Sequence, residues 1–312
     1  MPFVSIVIAT KDRGAMLGDC IESVLAQEDA PRFEVIVIDD GSTDGSDAVA
    51  DEYASRAAGR IRVRKLAHVG LAAARNAGAE ASSGRWLLFL DDDARLPAGF
   101  LAQLESVLHS HDGQVLGFAD LPLPTDSYIS ASIRYLELAS RRTIGREHAI
   151  KGAALACPRD LFLKLGGFDA TRQYYQLEDT EFVARARGAG CSATWLPEPH
   201  VLHRAPTLSA YVRNNLRWAR NVDVAAGSSD YRLPHLILAL FAASFALRWL
   251  TWRRWRLVGA GGLALCGVIT QVAAAPLRYA PGVALAAGLR ACFVPLSAGA
   301  YLIARLRVRR RA

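Results

Sequence analysis

Short apolar runs alternate with helix-spaced apolar residues along the first 120 residues of the chain. A buried parallel strand is typically a short apolar run closed by turn residues, whereas an amphipathic helix places apolar residues three or four positions apart. The apolar runs predict strands at Val4–Ala9, Glu34–Ile38, Ile61–Leu66 and Trp86–Leu90, the third of which alternates as an edge strand would. The helical spacing predicts helices at Met16–Leu25, Asp44–Ala57 and Leu71–Ser82. This order predicts an α/β fold with a mostly parallel sheet flanked by helices.

The first apolar run has a composition that suits a strand better than a signal peptide. Phe3–Thr10 is too short and too rich in β-branched residues for the apolar region of a secretory signal, and it leads directly into a polar turn. We therefore expect a buried strand at this point in the sequence.

The pattern changes after residue 204. Residues 1–204 are predicted to form the α/β domain, 205–232 an amphipathic linker helix, and 233–312 a membrane region. Within the last region, 233–252 is interrupted by Arg248 and flanked by tryptophan and arginine residues, which favours an interfacial helix or a weak span.

Two segments of this last region are long enough to cross a membrane. Leu257–Ala275 has 19 residues without a charge and Gly282–Ala304 has 23 with one, Arg290; about 20 apolar residues span a bilayer. Arginines precede the first segment and make up five of the seven residues 305–311, so the positive-inside rule predicts a hairpin with both flanks in the cytosol. We therefore expect a multi-pass protein of the inner cell membrane with the domain of residues 1–204 in the cytosol.

Charge and cysteine content narrow the class of protein. Residues 1–204 hold 22 Lys and Arg against 28 Asp and Glu, and residues 205–312 hold 15 against 2, so the net charge of +7 combines −6 with +13. The basic region favours membrane lipid over nucleic acid as a partner, because its apolar runs are too long for a nucleic-acid arm. Five cysteines without a Cys-x-x-Cys pair argue against a disulfide framework and a cysteine zinc site.

Carboxylates follow three of the predicted strands. Asp12 follows the first strand, Asp39–Asp40 ends the second, and Asp91–Asp93 comes directly after the fourth. Ligands in such folds bind beyond the carboxyl ends of the strands. Adjacent aspartates repel one another, so the triplet indicates a bound cation, and carboxylate ligands favour Mg²⁺ or Mn²⁺. An Asp-rich turn that caps the next helix explains the triplet equally well, and both interpretations also apply to Asp39–Asp40.

Short motifs follow one another in a fixed order between residues 3 and 204. They are Val4–Arg13, Cys20–Gln27, Val37–Asp44, Gly70–Gly78, Gly84–Asp93, and Gly166–Asp169 followed by Glu178–Asp179. The ordered set resembles the family 2 glycosyltransferases of the GT-A type. The resemblance implies a nucleotide-sugar donor, a divalent metal, Mg²⁺ or Mn²⁺, and inversion at the anomeric carbon of the transferred sugar.

The resemblance also implies which residues bind the donor. Three of them would contact its nucleoside, namely Thr10, Asp12 and Asp40. Arg75 would lie on the nucleotide side of the cleft. Arg13, from the first strand-end turn, and Asp92, within the triplet, are further candidates for donor binding.

Two candidate metal ligands follow from the same resemblance, and a third is suggested by its position in the sequence. Asp91 and Asp93 match the Asp-x-Asp metal site of the family. His203, which ends a strand-like segment, is a candidate nitrogen ligand for the metal or the diphosphate, although most histidines in such positions are structural.

Asp179 matches the general base on the acceptor side. An inverting transfer needs a carboxylate opposite the leaving diphosphate to accept the proton of the acceptor hydroxyl. Glu178 and Glu181 are expected to raise the pKa of Asp179, which suits a base. The three carboxylates also suit an ordinary helix N-terminus, with Glu181 and Arg185 as an i,i+4 pair.

The leading hypothesis is a membrane-attached glycosyltransferase that acts on a glycan or polyprenyl-linked acceptor. A sugar-phosphate nucleotidyltransferase would share the α/β sheet and the metal, but it needs a glycine-rich loop after the first strand, where Thr10–Gly14 offers one glycine. A catalytically silent membrane scaffold of the same fold is the other alternative. The carboxylates at the strand ends favour an active transferase over the scaffold.

Overall fold

A computed structural model describes residues 3–144, 150, 153–171, 178–211 and 213–214 of the chain. The strands in these ranges are β1 (Val4–Thr10), β2 (Phe33–Asp39), β3 (Ile61–Lys65), β4 (Trp86–Asp91), β5 (Ala94–Arg95), β6 (Val115–Pro122), β7 (Ala154–Pro158) and β8 (Ala193–His203). The helices are α1 (Gly14–Leu25), α2 (Ser46–Arg56), α3 (Leu71–Ala81), α4 (Phe100–Ser110), α5 (Tyr128–Ile144), α6 (Arg159–Lys164) and α7 (Glu178–Gly188). The strands and helices predicted over the first 91 residues are all confirmed, with bounds within two residues of the prediction.

The strands of the described residues form one sheet in the order β3-β2-β1-β4-β7-β6-β8-β5. Parallel pairs join β1 to β2 and β4, β2 to β3, and β6 to β8. β7 is antiparallel to β4 and β6, and β5 is antiparallel to β8. The sheet is therefore mixed, with β5 and β7 running against the other six strands, and β3 lies at an edge as its alternation predicted.

The reversed strands occur where the sequence pattern is less regular. Residues 92–93 form a turn directly after β4, so that the two-residue β5 runs back along the end of β8, with Ala94 paired to His203. This turn is what carries the acidic triplet from one strand to the neighbourhood of another.

Apolar side chains cover both faces of the sheet, in the period of two that a strand imposes. Leu88 and Leu90 of β4 belong to a large cluster that includes residues of α1 and α4. Phe89, between them, packs on the other face against Phe162 and Phe168, with ring centroids 4.9 Å apart in each case. Burial on both sides explains why β4 reads as a continuous apolar run, and it fixes the position of the strand end that carries Asp91.

The pairing register between β6 and β8 changes partway along the strands. Phe118 pairs with Leu196 and Asp120 with Val201, so that Ala119 stands opposite the four residues 197–200. Across this bulge β8 has three more residues than β6. Because side chains alternate between the two faces of a strand, an odd number of extra residues moves the odd-numbered positions of β8 to the face that the even-numbered ones occupy before the bulge. Leu196 before it and Val201 after it both pack against the same core cluster. Beyond the bulge, the odd-numbered positions of β8 share the face of Asp120.

The chain divides into two compact units. The first, Met1–Leu123 with Ile144–Arg204, contains the sheet. The second comprises Pro124–Thr143 and the chain from Ala205 onwards; within it the Ala205 N–H donates to Asp126 Oδ2 at 2.9 Å. The division into domain, linker helix and membrane region stays a prediction.

The C-terminal predictions fall mostly beyond the described residues. Of the predicted linker helix 205–232, the described part is helical at 208–211 and 213–214. The segments 233–252, 257–275 and 282–304 lie outside the described residues. Among the residues that are described, no helix combines the length and the apolar character needed to cross a membrane.

The three cysteines among the described residues are free thiols. Cys20 and Cys157 are buried and Cys191 is partly exposed. Burial raises the pKa of the Cys20 and Cys157 thiols, so they stay protonated in the core. Cys266 and Cys292 lie outside the described residues.

Candidate active site

The candidate site lies at the edge of the sheet where the parallel strands end. β1, β2, β4 and β8 run in one direction and end at Thr10, Asp39, Asp91 and His203. Carboxyl ends of parallel strands meet at one edge, which is where α/β folds bind ligands. The structure thus brings together residues that are up to about 190 positions apart in the sequence.

Asp91, Asp93 and His203 form a cluster with the spacing of metal ligands. One potential ligand atom from each lies within 4.8 Å of the others. His203 Nε2 is 3.0 Å from Asp93 Oδ1 and 3.9 Å from Asp91 Oδ2. The β5–β8 pairing creates this proximity, and the Arg204 N–H donates to the Asp93 carbonyl at 3.1 Å. The three residues singled out as metal ligands in the sequence therefore lie together.

The other ring nitrogen of His203 faces a residue that sequence reasoning missed. His203 Nδ1 lies 3.2 Å from Oδ2 of Asp120, which is 1% exposed. Asp120 is the one charged residue in the strand Val115–Pro122. A carboxylate in an apolar strand needs a polar partner when it is buried, and this was the available signal.

Asp92, the middle residue of the triplet, points to a different set of partners. Its Oδ2 accepts a hydrogen bond from Thr10 Oγ1 at 2.8 Å, and its Oδ1 accepts one from Arg13 at 2.9 Å. Burial raises the pKa of Asp92 to about 6, with Asp93 adding to the effect and Arg13 opposing it. Arg13 also contacts Asp93 at 3.2 Å, while about half of its side chain remains exposed. Asp92 therefore anchors the turn to the end of β1.

Arg75 joins the triplet to a distant helix. Its guanidinium donates to Asp91 Oδ1 at 2.5 Å and to Glu178 Oε1 at 2.6 Å, and its side chain is 9% exposed. Burial opposes the charge of Arg75, but Asp91 and Glu178 outweigh it and raise the pKa of the guanidinium. Burial raises the pKa of Glu178 in spite of its pairing with Arg75. In the structure the guanidinium of Arg75 binds the carboxylates of Asp91 and Glu178. The predicted contact of Arg75 with the nucleotide stays a prediction.

Asn76 fixes the turn that leads towards this helix. Its side chain donates to the Phe168 carbonyl and accepts from the Phe168 N–H, both at 2.8 Å. A Cβ on Gly167 would lie 2.6 Å from Asn76 Oδ1, and Gly167 has a φ of +69°, so glycine is required there for two reasons. Arg185 of α7 donates to the Gly167 carbonyl at 2.7 Å. The turn and α7 are thus held as one assembly against α3.

Asp179 lies in the first turn of α7, next to Glu178. Its Oδ1 accepts hydrogen bonds from the Thr180 N–H at 2.6 Å and the Thr180 hydroxyl at 3.2 Å. Asp179 is partly exposed, and its negative charge is one of those that raise the pKa of Arg75. Glu181 pairs with Arg185 as the i,i+4 spacing predicted. The base role of Asp179 stays a prediction, but its place beside the Arg75 pair is established.

The residues predicted to contact a nucleoside lie at the ends of β1 and β2. The exposed Asp12 accepts from the Thr43 N–H at 2.7 Å and has a φ of +54°. The buried Asp40 accepts from the N–H groups of Val69 and Gly70, at 2.6 and 2.9 Å. Asp40 thereby shapes the loop before α3, and a contact with a nucleoside stays a prediction for both residues.

The described carboxylates around the cluster are interleaved with basic side chains. Asp91, Asp92, Asp93, Asp120 and Glu178 lie among Arg13, Arg75 and His203, and Arg95 and Arg204 line the same depression as Asp93. A divalent cation between Asp91, Asp93 and His203 would find suitable ligands there, because carboxylate and imidazole groups bind such ions.

Two family models match the chain. One, described as "Glycosyl transferase family 2", matches residues 5–151. The other, described as "Glycosyl transferase family group 2", matches residues 86–303, which is 218 of the 312 residues. The second match covers more than half of the chain.

Bacterial glycosyltransferases are similar to part of the chain. The uncharacterized glycosyltransferase EpsJ of Bacillus subtilis (strain 168) is 32% identical over 117 residues, which is 38% of this chain and 33% of EpsJ. The PGL/p-HBAD biosynthesis glycosyltransferase of Mycobacterium bovis (strain BCG / Pasteur 1173P2) is 30% identical over 128 residues, 41% of this chain and 50% of that protein. The chain therefore spans half or less of the length of these relatives.

A solved structure shares the fold. The mannosyltransferase PcManGT from Pyrobaculum calidifontis, solved in complex with GDP-Man and Mn²⁺, superimposes with a TM-score of 0.58 at 18% sequence identity. The match covers 98% of this chain and 87% of that one. At this identity the likeness shows a common fold, the GT-A arrangement of a mixed sheet flanked by helices.

Arg75→Ala should lower the free energy of unfolding by about 3–5 kcal/mol, because it leaves the buried Glu178 without its counter-charge. Arg85→Ala is the matched control: Arg85 pairs with Asp112 at 2.6 Å, but both side chains are more than half exposed. An exposed pair of this kind contributes at most about 1 kcal/mol. Urea unfolding followed by tryptophan fluorescence measures both values, and equal small losses would show that Arg75 does not stabilise the site.

Proposed function

This chain belongs to glycosyl transferase family group 2, and we propose that it transfers a sugar from a nucleoside-diphosphate donor to a hydroxyl group of its acceptor, with inversion at the anomeric carbon. The observation that carries the proposal is the meeting of Asp91, Asp93 and His203 at the carboxyl edge of the sheet. This cluster lies close to the Arg75–Glu178 pair beside Asp179. A donor end and an acceptor end are thereby available in one unit of the chain.

Asp91, Asp93 and His203 are the residues that would hold the divalent ion. Two carboxylates and an imidazole favour Mn²⁺ over Mg²⁺, because Mg²⁺ prefers oxygen ligands and retains its waters. When bound, the ion acts as a Lewis acid that neutralises charge on the departing diphosphate. The Mn²⁺ in the structure of the related mannosyltransferase fold supports this assignment.

Arg13 would assist at the diphosphate. Its guanidinium bridges Asp92 and Asp93, and about half of the side chain faces solvent at the strand ends. An arginine held by two carboxylates keeps a fixed orientation and presents its remaining N–H groups to phosphate oxygens. Thr10, Asp12 and Asp40, at the ends of β1 and β2, would line the pocket for the nucleoside.

Asp179 is the proposed general base. As the acceptor oxygen forms its bond to the anomeric carbon, the bond from that carbon to the diphosphate oxygen breaks and the nucleoside diphosphate keeps the electron pair. The proton of the acceptor hydroxyl passes to a carboxylate oxygen of Asp179. The Arg75–Glu178 ion pair supports this role, because it fixes the first turn of α7 relative to Asp91.

The proposed acceptor is a glycan or a polyprenyl-linked carrier at a membrane. The support comes from the sequence, where Leu257–Ala275 and Gly282–Ala304 have the length and composition of membrane spans and arginines flank them. Such an anchor, together with membrane lipid, would keep the catalytic domain at the cytosolic surface where lipid-linked acceptors are found.

The purified full-length chain should release a nucleoside diphosphate from at least one member of a panel of nucleotide sugars in the presence of Mn²⁺. Excess EDTA should abolish the release and added Mn²⁺ should restore it. Asp91→Asn and Asp93→Asn should each lower the rate by about 10²-fold or more, because the charge on the leaving group is no longer neutralised. Asp112→Asn, at an exposed residue paired with Arg85, is the matched control with unchanged rate.

Full turnover in excess EDTA would overturn the metal assignment. Release of pyrophosphate instead of a nucleoside diphosphate would favour the nucleotidyltransferase alternative. Chromatography of the nucleotide products distinguishes the two outcomes.

Asp179→Asn should lower kcat by about 10²- to 10⁴-fold and leave donor affinity unchanged, because a base acts in the transition state while the nucleotide binds elsewhere. Steady-state kinetics and calorimetric titration with the donor measure the two quantities. Asp160→Asn is the matched control, since Asp160 occupies the first turn of α6 with a fully exposed side chain. Normal turnover of Asp179→Asn, or a loss of its donor binding, would move the base to another residue.

A cysteine introduced at Ala312 should be protected from an impermeant thiol reagent in intact cells, whereas one at Tyr279 should react. The predicted hairpin places the arginine-rich end in the cytosol and the segment 276–281 outside. The chain with its native cysteines alone serves as the blank. The opposite labelling pattern would contradict the hairpin and favour three crossings.

A further inference from the structure

We propose that Asp120 is a positioning residue that holds His203 in the orientation and tautomer needed to ligate the divalent ion; this rests on the metal site of the proposed function. The contact is between Asp120 Oδ2 and His203 Nδ1, at 3.2 Å. Asp120 lies on β6 and His203 ends β8, so the two strands of a parallel pair supply the two groups. Neither the Asp-x-Asp motif nor the proposed base involves Asp120.

Both ring nitrogens of His203 face a carboxylate. Nδ1 lies 3.2 Å from Asp120, and Nε2 lies 3.0 Å from Asp93 and 3.9 Å from Asp91. An ionised carboxylate only accepts hydrogen bonds, so a protonated imidazole can donate to both sides when no ion is bound. A divalent ion between Asp91, Asp93 and His203 would need the lone pair of Nε2, and the hydrogen would then remain on Nδ1, where Asp120 accepts it. Asp120 therefore favours the tautomer whose ligating lone pair points towards the two aspartates.

The backbone around the pair is fixed on both sides. The register of β6 and β8 places Asp120 opposite Val201, two residues before His203. On the other side, Ala94 of β5 pairs with His203, and the Arg204 N–H binds the Asp93 carbonyl at 3.1 Å. The imidazole thus lies between a buried carboxylate and the two candidate metal ligands, as ligating histidines commonly do.

Burial of Asp120 points to the same role. Its side chain is 1% exposed, and an ionised carboxylate at that depth is costly unless polar groups compensate it. Phe118, on the same strand, is also fully buried and belongs to the apolar core cluster. Apolar packing disfavours a carboxylate in this strand. The interaction of Asp120 with His203 explains why one is present there.

The test is the affinity for Mn²⁺, measured on the full-length protein by electron paramagnetic resonance of free Mn²⁺ without any substrate. We expect Asp120→Asn to weaken Mn²⁺ binding by about 10- to 100-fold, the usual effect of losing such an outer carboxylate. His203→Ala should weaken it at least as much. If Asp120 acts through His203, the double variant Asp120→Asn/His203→Ala should bind Mn²⁺ as His203→Ala does.

Glu34→Gln is the matched control. Glu34 accepts hydrogen bonds from Ser5, Ser83 and Arg62, but it lies near the start of β2, at the opposite end of the strand from the candidate site. Its substitution should leave Mn²⁺ affinity unchanged. Near-UV circular dichroism checks the fold of every variant, and Asp120→Ser replaces Asp120→Asn if the latter does not fold.

Two results would overturn the inference while leaving the metal site intact. One is wild-type Mn²⁺ affinity in Asp120→Asn combined with weakened binding in His203→Ala. The other is a further loss from Asp120→Asn in the His203→Ala background, equal to its loss alone, which would mean that Asp120 does not act through His203. Failure of the wild-type protein to bind Mn²⁺ would instead overturn the metal site and the inference together.

Discussion

The buried guanidinium of Arg75 is the interaction on which the geometry of the site depends. It binds Asp91, 16 positions along the chain, and Glu178, 103 positions away. A buried charge that loses its partner costs several kcal/mol, so the buried Arg75 and Glu178 depend on each other, and the partly exposed Asp91 adds a second carboxylate to the guanidinium. The end of β4 and the start of α7 are therefore held at a fixed separation. Any reaction that uses both ends depends on that separation.

The same edge of the sheet brings several carboxylates close together. Their mutual repulsion lowers the stability of the folded state, and the rest of the fold must offset this loss. The apolar clusters on the two faces of the sheet, one around Leu88 and Leu90 and one around Phe89, provide the burial that stabilises it. The carboxylates at this edge therefore lower the stability of the fold unless cationic groups lie between them. Arg13 and Arg75 neutralise part of this charge through their contacts with Asp93 and Asp91.

Local patterns in the sequence predicted the first half of the fold, because strands buried on both faces and helices with one apolar side have characteristic periods. They also located Asp91 and Asp93, since an acidic triplet after an apolar strand is visible without a structure. The partners of these residues were not predictable in the same way. Arg75 lies on an ordinary-looking helix, and its orientation towards Glu178 depends on packing between distant segments. Asp120 was missed because its partner is determined by strand register, which no local pattern encodes.

The bulge opposite Ala119 has a consequence for how such a chain can vary. Leu196 and Val201 are five positions apart and face the same core cluster, so the alternation of side chains does not run through residues 197–200. The direction of the His203 imidazole is set instead by the pairing of Asp120 with Val201 beyond the bulge. This short stretch can therefore vary in length without turning His203 away, as long as that pairing is kept.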